Sequence, residues 1–152
     1  MRRRLLLGLI VCGLIGASAA CTPTPSFPNL EDLDRSPVNS EVVLHIMNAA
    51  VTTISFTLEN TSSTEYMYGV DYTLFVRRDG SWAAVDQIAD LVFPDIGYIL
   101  APGATTDPIY LDWERPYGIL PAGEYAIQKG LSHHDAAGNP KQSVVRQYFT
   151  LP

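Results

Sequence analysis

Between Thr52 and Glu59 the chain alternates residue by residue. Thr52, Ile54, Phe56 and Leu58 fall on one side of an extended backbone, and Thr53, Ser55, Thr57 and Glu59 on the other. Successive side chains of a strand point to opposite faces, so this pattern predicts a sheet with one dry and one wet face. The same period runs through Val42, Leu44 and Ile46, which alternate with Val43, His45 and Met47. Further β-type runs cover Tyr72 to Arg78, Ser81 to Val85, Gly97 to Leu100, Ile109 to Trp113, Tyr125 to Leu131 and Val144 to Leu151.

Turn signals separate these runs. Asp79-Gly80 lies between two of them and predicts a tight hairpin, because both central residues of such a turn need positive φ. Ala101-Pro102-Gly103, Pro121-Ala122-Gly123 and Gly138-Asn139-Pro140 mark other reversals. Gly103 and Gly123 are expected in turns that need backbone freedom. Asp86 to Phe93 reads as irregular. About seven to nine short strands without a helical period predict an all-β antiparallel sandwich or barrel.

The first twenty residues have a different character. Arg2, Arg3 and Arg4 precede an apolar stretch from Leu5 to Ile15, followed by Gly16, Ala17, Ser18, Ala19 and Ala20. Basic, apolar and small-residue parts in that order predict a secretory signal over residues 1–20. The apolar stretch is shorter than the roughly 20 residues of a membrane span. Ser18-Ala19-Ala20-Cys21 resembles a bacterial lipobox, departing from it at Ser18, where an aliphatic residue is usual. The alternative is an ordinary signal cut after Ala19 or Ala20, which leaves a lone exported thiol without a role. The lipidated reading places acyl chains on Cys21 and holds the protein to the extracytoplasmic face of the cell membrane.

Cysteine content carries this further. Cys12 lies within the expected signal and Cys21 at the expected lipid site, so the folded part is expected to contain no disulfide. Its stability then rests on a hydrophobic core, for which about 110 residues suffice. Residues 21–39 are rich in Pro, Thr and Ser near their start and read as an extended tether. Residues 40–152 form the expected domain. Removal of residues 1–20 leaves seven basic against sixteen acidic side chains, a net charge of −9. That balance disfavours nucleic acid as a partner.

Two stretches give the domain a family resemblance. The first comprises Thr57-Leu58-Glu59-Asn60, Tyr68-Gly69, Tyr72, Leu74 and Gly80-Ser81-Trp82 with Val85. The second comprises Leu100-Ala101-Pro102-Gly103, Leu111-Asp112-Trp113, Tyr117-Gly118, Leu120 through Tyr125, Lys129 and Phe149-Thr150-Leu151. The ordered set resembles the bacterial immunoglobulin-like domains of exported envelope proteins, many of them lipoproteins. It departs from them at Ala126, where arginine is common. The resemblance implies an immunoglobulin-like antiparallel sandwich, with no catalytic activity and no defined ligand. It also implies a tyrosine corner at Tyr125, in which the hydroxyl bonds back to a nearby backbone carbonyl. Trp82 and Trp113 are expected to cap the core with their N–H groups near the rim.

Candidate sites are few. His133-His134-Asp135 has metal-ligand residue types, but neighbouring strand positions diverge, so only a loop lets both imidazoles meet one ion, with His45 as a further ligand. The competing reading is a polar loop, and no metal or cofactor is expected. No nucleophile motif, paired-carboxylate signature or phosphate-cradling glycine loop frames a catalytic centre, so no enzyme activity is expected. Tyr66 and Tyr68 are candidate ligand contacts, since tyrosine joins a large rigid face to a polar tip. Core or rim packing is the alternative for both. Arg77-Arg78 reads as an edge-protecting charge pair. The expected function is a membrane-anchored interaction module for an envelope protein or glycan. An accessory envelope domain without its own ligand is the alternative.

Overall fold

The alternation of Ile54, Phe56 and Leu58 becomes burial in β2 (Thr53–Asn60), where all three are at most 1% exposed. In the computed structural model, residues 37–90 and 92–152 are described. The expected signal, Cys21 and the tether up to residue 36 lie outside them. β2 is the centre of a three-stranded antiparallel sheet, flanked by β1 (Val42–Ala49) and β7 (Ile109–Asp112). The register of β1 on β2 shifts between Ile46 and Asn48, so Met47 bulges outward.

The second sheet is organised by one long strand, β8 (Gly123–His134). One edge of β8 pairs along its whole length with β9 (Pro140–Leu151). Its other edge is shared by β4 (Thr73–Arg78) and β3 (Tyr66–Tyr68) in succession. β5 (Ser81–Ala84) extends the sheet from β4, and β6 (Tyr98–Leu100) extends it from β3. This is an antiparallel sandwich of nine strands among the described residues, with no disulfide there.

Val42, Leu44, Ile54, Phe56 and Leu58 of the small sheet pack against Leu74, Val76, Tyr125, Ile127, Leu131 and Leu151 of the large one. One end is sealed by Trp113, Tyr117 and Leu120, around a single helical turn, α1 (Glu114–Tyr117). Asp79 and Gly80 have φ of 51° and 81°, as the hairpin between β4 and β5 requires.

Several expectations are corrected. Tyr66–Tyr68 forms a strand of three residues, too short for periodicity to reveal. β8 and β9 each extend to twelve residues, because the Asp135 carboxylate accepts from the N–H groups of Ala137 and Asn139 and closes their turn. Gly103 has positive φ, whereas Gly123 simply begins β8. Trp113 is fully buried and its indole N–H has no partner there, so it sits in the core and not at the rim. Trp82 packs instead on Phe75 and Ala126, on the outer face of the large sheet, beside Tyr148. Pro37–Asn39, read as the end of the tether, already hydrogen-bonds to Val144 of β9.

Candidate functional site

The register along β8 has one gap. Tyr68 pairs with Leu131 and Thr73 with Gln128, so four residues, Gly69 to Tyr72, face only two, Lys129 and Gly130. The surplus must bulge, which removes its carbonyls from the ladder. Lys129 supplies the missing donors. Its Nζ donates to Gly69 O at 2.9 Å and to Asp71 O at 2.7 Å. A Cβ at Gly69 would lie 2.2 Å from the Asp71 carboxylate as placed, so that side chain would have to turn aside.

Lys129 is 1% exposed, the one buried side chain of charged type among the described residues. Burial pulls its pKa down to about 8, and the Asp71 carboxylate partly opposes the shift. The Tyr68 ring lies 6.0 Å from Nζ and stacks on Tyr98, with centroids 5.5 Å apart and planes 26° apart. Burial raises the Tyr68 pKa, reinforced by Tyr98 and by the charge on Asp107.

Tyr68, Tyr98, Asp107 and Lys129 line a cavity of about 470 Å³ whose walls also include Thr106, Ile109 and Tyr110. It opens between β6 and β7, the terminal strands of their respective sheets. A second concavity, of about 570 Å³, shares Tyr68 and Gly69 with it, and a third, of about 490 Å³, shares Val70 and Tyr110. Ile99 at 66% and Tyr110 at 76% exposure leave large apolar faces in water at this opening. Strand edges with such residues invite a partner.

The residues singled out in the sequence are dispersed. Tyr66 is buried, its hydroxyl donates to the Glu41 carboxylate, and its ring sits 5.0 Å from that of His133. Burial, followed by the hydrogen bond to Glu41, raises its pKa. Tyr68 lines the cavity. His133 and His134 are on β8 and not in a loop, so their rings leave opposite faces of the sheet. Asp135 organises the turn beyond them, and these hydrogen bonds, from Asn139 foremost, lower its pKa. His45 pairs with Glu59 at 2.7 Å. No group of three or more His, Cys, Asp or Glu among the described residues is placed to hold a metal. Arg77 pairs with Glu124 across the strands at 2.9 Å.

Lys129 is the functional candidate that sequence reasoning left without a role. Its signal was present: Tyr125, Ile127, Lys129 and Leu131 share one period-two face, and lysine is the polar exception on a buried face. Tyr98, Asp107 and Tyr110 carried no comparable signal, because only the fold brings their loop and strands together.

A family model for a bacterial Ig-like domain matches residues 37–150. No curated protein matches the chain.

Proposed function

The chain belongs to the bacterial Ig-like domain family, and from that premise we infer that it is an extracytoplasmic interaction module, lipid-anchored through Cys21. It uses the open side between β6 and β7 to bind an envelope component. Domains of this family usually occur in exported or surface proteins. Support for the anchor comes from the basic, apolar and small segments of residues 1–20, and from the lack of any cysteine beyond Cys21. The observation that carries the binding surface is the grouping of Tyr98, Ile99 and Tyr110, each at least 44% exposed, around one cavity.

Two experiments test the two halves of this reading. Cys21→Ala should move the protein from the membrane fraction to the soluble exported fraction; unchanged fractionation would refute the anchor. A photo-cross-linking residue at position 110 should capture an envelope component that the same residue at position 79, in the β4–β5 turn, does not. Equal capture at both positions would defeat the assignment of the surface.

A further inference from the structure

We propose that the Lys129 cavity is a saccharide site, taking one neutral sugar ring of a glycan against the Tyr68–Tyr98 pair. This rests on the open β6–β7 side being the binding surface, and it names the chemistry recognised there.

Charge narrows the ligand first. Lys129 puts one cation at the cavity, while Asp107 lies in its wall and Asp71 beside the ammonium. An anionic ligand meets the Asp107 carboxylate in the wall and the nearby charge of Asp71, and a cationic ligand meets the lysine. A neutral ligand that both donates and accepts hydrogen bonds avoids both conflicts. Sugar hydroxyls do this.

Hydrogen-bonding capacity points the same way. An ammonium has three donors, and two are taken by Gly69 O and Asp71 O. The third has no hydrogen-bond acceptor among the described residues, which leaves it for a ligand oxygen that reaches Nζ through the cavity. The Thr106 hydroxyl accepts from the Leu58 N–H at 3.0 Å, which leaves its proton for a ligand. Asp107 accepts only. Donors and acceptors thus share one wall, matching vicinal hydroxyls.

Shape completes the match. The two tyrosine rings are stacked, Tyr98 is half-exposed and Tyr68 partly buried, and Tyr110 stands exposed at the same cavity. The C–H face of a pyranose is apolar and flat enough to lie on such a surface, while its edge remains polar. A volume of about 470 Å³ falls in the range of small-ligand pockets.

The test is calorimetric titration of the full chain, held in detergent, with neutral trisaccharides of glucose, N-acetylglucosamine, galactose and mannose. Trigalacturonate serves as the anionic counterpart. At least one neutral probe should bind with a dissociation constant on the order of 1 mM or tighter. Tyr98→Ala should weaken it roughly tenfold or more, and Lys129→Met should abolish it. Tyr98→Ala removes a partly exposed side chain, so its fold can be verified by thermal melting. Binding of trigalacturonate alone, binding that Tyr98→Ala leaves intact, or no binding would each overturn the proposal. If cross-linking from position 110 still captures a partner in that case, the surface assignment stands and only the sugar falls.

Discussion

Tyr125 and Lys129 lie on the same inward face of β8, and the two ends they occupy are built on different principles. Around Tyr125 every group is packed. Its ring stacks on Phe149, which stacks on Trp113, and its hydroxyl donates to Pro121 O at 2.8 Å. This is the tyrosine corner that the sequence resemblance implied. Around Lys129 the ladder is broken, the chain bulges, and one amine holds two stray carbonyls beside an open cavity. The first region stabilises by filling space. The second accepts a desolvated charge and leaves apolar side chains in water. An irregularity of that kind, kept beside open sheet edges, is where a sandwich can recognise something.

The largest effect should come from breaking the packed end. Trp113→Ala removes a fully buried indole and leaves a cavity between the sheets. A loss of about 3–5 kcal/mol is expected in denaturant unfolding. A loss below about 1 kcal/mol would show that this end is not the keystone of the core. The indole N–H has no partner among the described residues, so Trp113→Phe should cost clearly less than Trp113→Ala, since it removes an unpaired donor together with the lost volume.

The Lys129 end should instead reveal itself in pH. Its folded pKa, about 8, lies below the ordinary value of 10.5. Below pH 8 the amine is protonated in both states. Between the two values the unfolded chain holds more protons, so stability rises with pH. Lys129's own contribution from about pH 8 to about pH 10 should be a gain of about 2 kcal/mol. As pH nears 10, the ordinary tyrosine value, the sign reverses. Burial pushes Tyr72 up to about 12 and raises Tyr66, Tyr68, Tyr117 and Tyr125. The unfolded chain then loses tyrosine protons first, and stability falls. Thermal melts across this range should therefore pass through a maximum. Lys129→Met should erase the rise and keep the alkaline decline. A rise that survives in the variant would place its origin elsewhere.

The contrast between the ends also explains what could be read in advance. β2 was legible because Ile54, Phe56 and Leu58 alternate with polar residues over a full strand, and the β4–β5 hairpin because Asp79-Gly80 can adopt the φ values it needs. Tyr125 was legible through its position after a Pro-Ala-Gly turn. The other end resisted for local reasons. Tyr66–Tyr68 is too short to show a period, and a bulge of four residues against two leaves no pattern in either strand. The β8–β9 turn was placed correctly, but the strands were drawn short, because the polar Ser132, His133, Lys141 and Gln142 pair in the ladder without an apolar face. The cavity combines Lys129 with Asp107 and Tyr110 from distant segments, and no local spacing encodes that meeting. The expectation for Trp113 rests on the general tendency of an indole N–H to seek a partner, whereas its ring is fully buried beside Phe149.

Two tyrosine variants make the smallest and sharpest comparison. Tyr125→Phe keeps the stacked ring and deletes one hydroxyl. Pro121 is exposed, so water can satisfy its freed carbonyl, and the cost should be about 1 kcal/mol. Tyr98→Ala removes a whole ring, yet that ring lies on an edge strand and is 44% exposed. Its effect on unfolding should be about 0.5–1 kcal/mol, at the low end of what a ring stack contributes. The larger chemical change should thus cost no more stability than the smaller one, and of the two it alone should weaken glycan binding. If Tyr98→Ala proves the more destabilising of the two, the Tyr68–Tyr98 stack is part of the core, and the β6 edge is structural instead of a surface held open for a ligand.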